Sequence, residues 1–256
     1  MGIVDLVPHN EEQEEVHKAF EFSIKFTNGR YEVALPWRPM EFHLAGNEGV
    51  AKKPLASLTM KLLKDEAMLM KYDEAIRQYL EQGFAERLPK NAVSIKNRSY
   101  YMPHRAVLRP ASQSTSLKVV FDASSSETGC VSLNEVLDSG PNLNPDILKV
   151  MHNFRMHCIR LAADIEKAFL QISLRKEDRD AARFLWYEEV PRKKKPSPPL
   201  EAWRMTRVPF GVTSSPFLLA ATIRHHLGMV DSSSGTARIL AESLYVDNPI
   251  TGTDTE

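Results

Sequence analysis

The chain has 256 residues, of which 43% are hydrophobic, and its 33 lysines and arginines balance 33 aspartates and glutamates. This composition suits one large domain or two small ones with a buried core, and the zero net charge means that nucleic acid would have to bind through a local basic surface. Cys130 and Cys158 show neither a disulfide framework nor metal-ligand spacing, and no stretch resembles a secretion signal or a membrane span, so we expect a cytoplasmic protein.

The N-terminal segment changes from an acidic run to an alternating one. Residues 1–19 are acidic and lack periodicity, which predicts a solvated tail or linker. Phe20–Phe26 and Tyr31–Leu35 alternate with period two on either side of Asn28 and Gly29, a pair that supplies the positive φ angles of a tight turn. We therefore predict a β-hairpin in this segment.

Helical spacing of apolar residues begins at Pro54. Apolar side chains recur there at three- and four-residue intervals, which is typical of two amphipathic helices. They are Leu55, Leu58 and Leu62 in the first helix and Leu69, Tyr72, Ile76 and Leu80 in the second. Gly83 suits the C-terminal cap of the second helix because a glycine there adopts a positive φ without strain.

A second hairpin and a helix are predicted in the middle of the chain. Ala106–Leu108 and Leu117–Asp122 flank a polar loop, which predicts two strands joined by a tip with basic residues beside it. Asn144 followed by Pro145 predicts an N-cap and the first residue of a helix, whose apolar face is carried by Ile147, Met151 and Phe154.

The remaining elements alternate between short strands and one apolar helix. Further strands are predicted over residues 172–174, 183–187 and 203–206. The proline-rich basic segment 191–199 predicts an exposed loop, since proline removes backbone donors and fixes φ. Ser215-Pro216 opens the apolar helix.

Two aspartates attract attention as candidate metal ligands. Asp164 follows Leu161-Ala162-Ala163 and Asp247 follows Tyr245-Val246, so the two carboxylates would emerge at one end of a sheet if these segments pair as strands. A charge inside an apolar strand is costly unless a cation accompanies it. Mg²⁺ prefers such oxygen ligands, and two ions of this kind can align an attacking hydroxyl with a phosphorus atom. An acid–base pair of a hydrolase is the alternative interpretation of the same two carboxylates.

A zinc site is not predicted from the histidines of the central helix. His152 and His157 are five residues apart, whereas ligands three or four apart share one helical face.

The order of four motifs resembles a retroelement reverse transcriptase, and more narrowly the polyprotein of BEL/Pao-type LTR retrotransposons. The motifs are Lys118–Ser124, Ala163–Phe169, Arg207–Pro216 and Tyr245–Asn248, and phrases at Arg30–Trp37 and Tyr100–His104 are similar to that group too. The resemblance extends over about residues 20 to 256. It implies an α+β fold with reverse-transcriptase-like fingers and palm, in which an antiparallel palm sheet packs on helices.

The resemblance also implies a division of the chain. Residues 1–19 would be a tail or linker, residues 20–95 an N-terminal hairpin and helices, and residues 96–256 the fingers and palm. We expect the chain to be a fragment that is incomplete at its C-terminus. Thr251–Glu256 is similar to the start of a further helix.

Roles for individual residues follow from the same resemblance. Asp164 and Asp247 would bind the catalytic Mg²⁺ or Mn²⁺ ions, with the Ile165 carbonyl as a further ligand and Asn248 as their catalytic neighbour. The nucleotide-binding residues would be Lys118, Arg109, Phe169, Phe210 and Gly211. Lys118 would grip the triphosphate with help from Arg109, Phe169 would be the steric gate against a ribose 2′-hydroxyl, and Gly211 would allow close approach of the backbone.

The implied partners are an RNA or DNA primer–template and a deoxynucleoside triphosphate. The protease, RNase H and integrase of the polyprotein are expected partners outside this chain. A virus-like particle or the nucleus are alternative locations to the cytoplasm.

The final motif departs from the family pattern of two aspartates. Asn248 replaces the second charge with a neutral amide. Pro249 pushes Asn248 toward an extended conformation, which conflicts with a tight turn at Asp247-Asn248, so we expect a wider or shifted turn. A catalytically inactive remnant, or a domesticated module that binds nucleic acid or protein with the same fold, is therefore the alternative function.

Overall fold

The computed structural model describes residues 11–39, 44, 46–89, 98–108, 117–230 and 235–254. Its helices and strands in chain order are α1 (Glu11–Ser23), β1 (Lys25–Thr27), β2 (Arg30–Val33), α2 (Glu48–Leu62), α3 (Glu66–Glu81), β3 (Ala85–Arg87), β4 (His104–Leu108), β5 (Leu117–Phe121), α4 (Leu133–Val136), α5 (Ile147–Met156), β6 (Ile159–Ala162), β7 (Ser173–Leu174), β8 (Arg183–Tyr187), β9 (Leu200–Met205), α6 (Ser215–Met229), α7 (Gly235–Ser243), β10 (Leu244–Tyr245) and β11 (Asn248–Thr253). The fold is α+β with mainly antiparallel strands, as predicted.

The chain divides into two compact units. The first comprises residues 1–24, 139–165 and 216–256, and its sheet has the antiparallel order β10-β11-β6. Helices α5 and α7 contact β11, and α5 also contacts β6. This unit therefore contains a small sheet packed on helices, and both Asp164 and Asp247 belong to it.

The second unit comprises residues 25–138 and 166–215. It contains the sheets β1-β2-β7 and β3-β9-β8 and the β4-β5 hairpin, and the β2-β7 pair is parallel. Its core includes Trp186, Trp203, Tyr72 and Phe184, each with less than 2% of its surface exposed. Burial of such large apolar side chains is the main stabilising term of the unit.

The helix pair α2 and α3 confirms the sequence prediction. Leu55 and Leu62 are buried in α2, and Leu69, Tyr72 and Ile76 are buried in α3. The side chain of Asp65 caps α3 by accepting a hydrogen bond from the amide of Met68 at 3.1 Å. Gly83 has a φ of +68° just after the helix, which fits its predicted capping role.

The N-terminal segment differs from its prediction. Helix α1 runs to Ser23, through residues expected to form a tail and then a strand, and the hairpin begins only at Lys25. Phe20 is buried and packs edge-on against Phe217 with ring centroids 5.6 Å apart, whereas Phe22 is 95% exposed. The alternation of aromatic residues was thus misleading, because one of them is anchored by a helix distant in sequence.

The predicted turn between β1 and β2 is confirmed. Asn28 and Gly29 have φ angles of +53° and +74°, the left-handed values that a tight hairpin turn requires. The second hairpin is also confirmed, with β4 and β5 paired from His104 opposite Phe121 to Leu108 opposite Leu117.

The predicted start of the central helix is wrong. Helix α5 begins at Ile147 and is capped by Asp146, which accepts a hydrogen bond from the amide of Leu148 at 2.9 Å, so Asn144 is not the N-cap. Of the segment expected to start a further helix, Thr251–Thr253 belong to strand β11, and Thr255 and Glu256 lie outside the described residues. Helix α6 does begin at Ser215, as predicted.

The remaining strand and loop predictions agree with the structure. Strands β7, β8 and β9 lie in the predicted segments, and most of residues 191–199 are exposed, with a tight backbone turn closed between Arg192 and Lys195. Among the described helices, none combines the length and the apolar composition needed to cross a lipid bilayer.

Candidate functional site

Strands β6 and β11 place the two candidate metal-binding segments side by side. Ala162 lies opposite Ile250, and the ladder continues beyond the strand through a hydrogen bond from the Ala163 amide to the Pro249 carbonyl at 3.2 Å. The amide of Ile165 then donates to the carbonyl of Asp247 at 2.9 Å. Antiparallel pairing therefore brings the Asp164 and Asp247 segments to the same end of the sheet, as the sequence predicted.

The register of this ladder determines which residue faces Asp164. Two hydrogen-bonded pairs, Ala163 with Pro249 and Ile165 with Asp247, enclose Asp164 and Asn248 as the facing residues between them. Facing residues of a pair without hydrogen bonds approach most closely in an antiparallel sheet. Asn248 is therefore the residue directly across from Asp164, and Asp247 lies one position nearer the turn.

The turn between β10 and β11 is shifted by one residue from Asp247-Asn248, as Pro249 led us to expect. Tyr245 pairs with Asn248, so the two loop residues are Val246 and Asp247, and Asn248 is already in the strand. Val246 has a φ of +59°, a left-handed value that costs a β-branched residue energy. The turn that presents Asp247 is consequently held in a strained conformation.

Asn144 helps to hold that turn. Its side-chain oxygen accepts a hydrogen bond from the amide of Val246 at 3.0 Å, and its own amide donates to the side-chain oxygen of Asn142 at 3.1 Å. The sequence indicated only a capping role for Asn144. No local pattern could have revealed its contact with Val246, because the two residues are 102 positions apart.

The carboxylates differ in their surroundings. Asp164 is exposed and has neither a hydrogen bond nor an ion pair with a described residue. Asp247 is half-buried, and its Oδ1 accepts a hydrogen bond from the Asn248 side-chain amide at 2.6 Å. This bond occupies one of the two carboxylate oxygens of Asp247.

The donor set fits a divalent cation that prefers oxygen. Asp164 and the second oxygen of Asp247 lack partners among the described residues, and the Ile165 carbonyl accepts no backbone hydrogen bond from them. Two carboxylates and a carbonyl are the ligand types that Mg²⁺ or Mn²⁺ takes, with water or substrate oxygens completing the shell. Within the described ranges there is no group of three or more histidine, cysteine or acidic side chains arranged for a metal.

Phe169 and Phe210 form an aromatic pair in the second unit. Their ring centroids are 5.5 Å apart and the rings meet edge to face at 80°. Phe169 lies in a short 3₁₀ helix (Ala168–Gln171) that starts after Lys167, whose φ is +52°. Phe210 is 60% exposed, so the pair presents an accessible apolar surface.

Gly211 follows this pair in a conformation that requires glycine. Its φ is +104°, and a Cβ atom there would lie 2.4 Å from the carbonyl oxygen of Phe121. Asn134 steadies the same segment by accepting a hydrogen bond from the Thr213 amide at 2.8 Å. The close backbone approach at Gly211 is thus to strand β5 of its own unit.

Lys118 and Arg109 are the two basic residues that the sequence predicts to bind the triphosphate. Lys118 is exposed on β5, opposite Val107 of β4. Arg109 lies outside the described residues.

No protein-family model and no curated protein matches the chain. A solved structure that is similar to it is a foamy viral protease–reverse transcriptase in complex with RNA/DNA hybrid, with 17% sequence identity and a TM-score of 0.48. The match covers 86% of this chain and 22% of that one.

Proposed function

We propose that the chain is the reverse transcriptase region, fingers and palm, of a BEL/Pao-type LTR retrotransposon polyprotein, and that it acts as an RNA-directed DNA polymerase. The observation that carries this proposal is the hydrogen bond of 2.9 Å from the Ile165 amide to the Asp247 carbonyl. It joins the two aspartate-bearing motifs at one end of an antiparallel sheet, which is the arrangement that nucleotidyl transfer with shared metal ions needs.

Asp164 and Asp247 would hold Mg²⁺ or Mn²⁺, together with the Ile165 carbonyl. The bound cations would neutralise the charge that develops on the phosphoryl oxygens and activate the primer hydroxyl. The chain's own contribution would be positioning, because the β6-β11 ladder and its continuation bring the Asp164 and Asp247 segments together. Asn144 contributes by fixing the turn that carries Asp247.

The second unit would supply contacts to the incoming nucleotide. Phe169, in contact with Phe210, is proposed as the gate that excludes a ribose 2′-hydroxyl, and the exposed Lys118 would attract the triphosphate. The remaining partner is a primer–template of RNA and DNA. Its phosphates make the expected binding salt-dependent.

A catalytically inactive module with the same fold is the second candidate. The specific observation that favours it is the hydrogen bond of 2.6 Å from the Asn248 amide to Asp247, which places a neutral donor where the family has a second carboxylate. Such a module would retain binding to nucleic acid or protein without turnover.

Primer extension on an RNA template separates the two candidates. We expect the wild-type chain to incorporate deoxynucleotides with Mg²⁺ or Mn²⁺, and Asn248→Asp to incorporate more. Asp164→Asn should lose at least about a hundredfold of this activity, because the substitution removes a negatively charged metal ligand. Glu166→Gln is the matched control, since within the described part of the chain the only ion-pair partner of this exposed carboxylate is Lys167 at 3.8 Å. Incorporation that survives Asp164→Asn contradicts the metal assignment, and an absence of incorporation even with Asn248→Asp selects the inactive module.

A further inference from the structure

Two chain segments of the second unit form a short ladder that links the aromatic pair to basic residues. Ser173 and Arg207 make an antiparallel bridge, and the amide of Val208 donates to the carbonyl of Ile172 at 3.0 Å. The same two segments carry Phe169 and Phe210, whose rings are in contact. Arg207 therefore lies three residues before the exposed Phe210 on the same segment.

The guanidinium of Arg207 lacks an acidic partner. It donates to the Ser173 hydroxyl, and its Nε is buried without any hydrogen-bond partner among the described residues. Burial, together with the positive charges of Arg30 and Arg179, lowers the pKa of Arg207. An incompletely satisfied, partly desolvated cation is unfavourable unless an anion binds beside it.

Arg30 lies on the other side of strand β7. Strand β2 runs parallel to β7 with Glu32 beside Ser173, and Arg30 donates to the side-chain oxygen of Gln171 at 2.7 Å. Neither Arg30 nor Arg207 has an ion pair with a described carboxylate, Glu32 included. Two cations thus flank one strand with only neutral hydrogen-bond partners.

Arg179, in the same unit, does have an acidic partner. Its guanidinium lies 3.6 Å from Glu86, and its Nε donates to the carbonyl of Leu174 at 3.1 Å. Arg179 thus has an acidic partner, whereas Arg30 and Arg207 have only neutral hydrogen-bond partners among the described residues and the Arg207 Nε has none.

We propose that Arg30, Arg207 and the Ser173 hydroxyl bind a backbone phosphate of the nucleic-acid strand that passes beside the exposed Phe210. Guanidinium groups match phosphate oxygens geometrically and remain charged when partly desolvated. The hydroxyl can turn to donate to the same phosphate, since its proton is free to rotate. The identity of the ligand as nucleic acid rests on the proposed polymerase function.

Binding of a labelled RNA/DNA hybrid without nucleotides tests this site. Affinity is measured by fluorescence anisotropy across a range of salt concentrations for the wild type, Arg30→Gln and Arg207→Gln. Each loss of one phosphate contact is expected to lower the slope of log affinity against log salt by about 0.9. Arg192→Gln is the matched control, because it removes the same charge from the exposed loop 191–199.

The set of variants is chosen so that the test remains decisive if one of them does not fold. Circular dichroism establishes whether each variant is folded. Arg30→Gln carries the test by itself if Arg207→Gln is not folded, since the side chain of Arg30 hydrogen-bonds only to Gln171 among the described residues. Arg207→Lys keeps the charge and is expected to retain the wild-type slope with weaker affinity. A slope unchanged in Arg30→Gln, or lowered equally in Arg192→Gln, overturns the proposal.

Inorganic phosphate distinguishes a strand phosphate from a free one. If phosphate at constant ionic strength raises the melting temperature of the wild type but not of Arg207→Gln, while the slope for the hybrid stays unchanged in both variants, the assignment to nucleic acid is wrong. The polymerase proposal can fail independently of this site. A lowered slope in the variants without primer extension by the wild type supports the phosphate site and rejects the polymerase activity. Primer extension with an unchanged slope supports the activity and rejects the phosphate site.

Discussion

The side-chain amide of Asn248 donates a hydrogen bond of 2.6 Å to the carboxylate of Asp247. Asn248 also faces Asp164 across the β6-β11 ladder, so one neutral residue lies beside both candidate metal ligands. A neutral amide at this position supplies no negative charge to attract a cation.

Replacing Asn248 by aspartate should strengthen metal binding. A third carboxylate beside Asp164 and Asp247 adds Coulomb attraction, and we expect Asn248→Asp to tighten Mn²⁺ binding about tenfold, or about 1.4 kcal/mol. Isothermal titration calorimetry measures the change. Asn153→Asp, which adds the same charge on the exposed face of α5, should leave the affinity near wild type; equal tightening in both variants would point to a nonspecific charge effect.

Removing the side chain of Asn144 should loosen the turn. Asn144→Ala deletes the acceptor of the Val246 amide, which is worth about 1 kcal/mol, so exchange of that amide with solvent deuterium should quicken about fivefold. Hydrogen exchange followed by NMR reports the Val246 amide directly. Asn153→Ala is the control, and an unchanged exchange rate in Asn144→Ala would show that the hydrogen bond does not restrain the turn.

Alanine at Gly211 should destabilise the protein. The new Cβ would collide with the Phe121 carbonyl at 2.4 Å, and the φ of +104° is unfavourable for any residue with a side chain. We expect Gly211→Ala to cost about 2–3 kcal/mol in the free energy of unfolding. Gly228→Ala, in helix α6 with no atom within 4 Å of its added Cβ, should be neutral or stabilising in the same urea titration.

A buried histidine should make stability fall in acid. His104 lies between the Tyr72 hydroxyl at 2.7 Å and the Leu185 carbonyl at 2.8 Å, and burial lowers its pKa to about 4. The unfolded chain, with a histidine pKa of about 6.5, binds a proton that the folded state excludes between these values. Stability contributed by neutral His104 is therefore complete above about pH 6.5 and is lost as the pH falls toward 4.

A comparison of variants isolates the part of the pH dependence of stability that is due to His104. We expect His104 to lower the free energy of unfolding at pH 5 by about 2 kcal/mol relative to pH 7, because its pKa differs widely between the folded and unfolded states. Urea unfolding of His104→Asn should show a pH dependence smaller by that amount. The exposed Asn153, replaced by alanine, should leave the pH dependence unchanged; an equal change in both variants would contradict the assignment to His104.

A smaller residue at Phe169 should relax discrimination between sugars. If Phe169 is the gate, Phe169→Val should raise incorporation of ribonucleotides relative to deoxynucleotides by about tenfold or more. Single-nucleotide extension measures that ratio. Phe22→Val, at a side chain that is 95% exposed, should leave it unchanged; a constant ratio in Phe169→Val would remove the gate assignment.

Local patterns predicted the elements whose conformation is decided locally. The Asn28-Gly29 turn has the positive φ angles that its residue types favour, and the buried faces of α2 and α3 follow the helical spacing of their leucines. The proline after Asn248 predicted the shifted turn, since Pro249 restricts the residue before it. In each case the physical cause lies within a few residues.

Distant contacts decided the features that the sequence did not reveal. Helix α1 replaces a predicted strand because Phe20 packs against Phe217, and Asn144 binds Val246 rather than capping a helix. The pairing of Arg30 and Arg207 around β7 likewise depends on a parallel strand pair that no local pattern indicates. Tertiary packing overrides local preference at such positions.

The central claim is that Asp164 and Asp247 bind the same cation, and metal-directed cleavage tests it most directly. Fe²⁺ bound in place of Mg²⁺ and supplied with hydrogen peroxide is oxidised to Fe³⁺ and releases hydroxide and a hydroxyl radical that cuts the nearby backbone, and mass spectrometry locates the cuts. We predict cleavage in both residues 161–167 and residues 244–250, suppressed by excess Mg²⁺ and abolished in Asp164→Ala but not in Glu166→Gln. Cleavage confined to one segment, or unchanged by Asp164→Ala, would contradict the shared site.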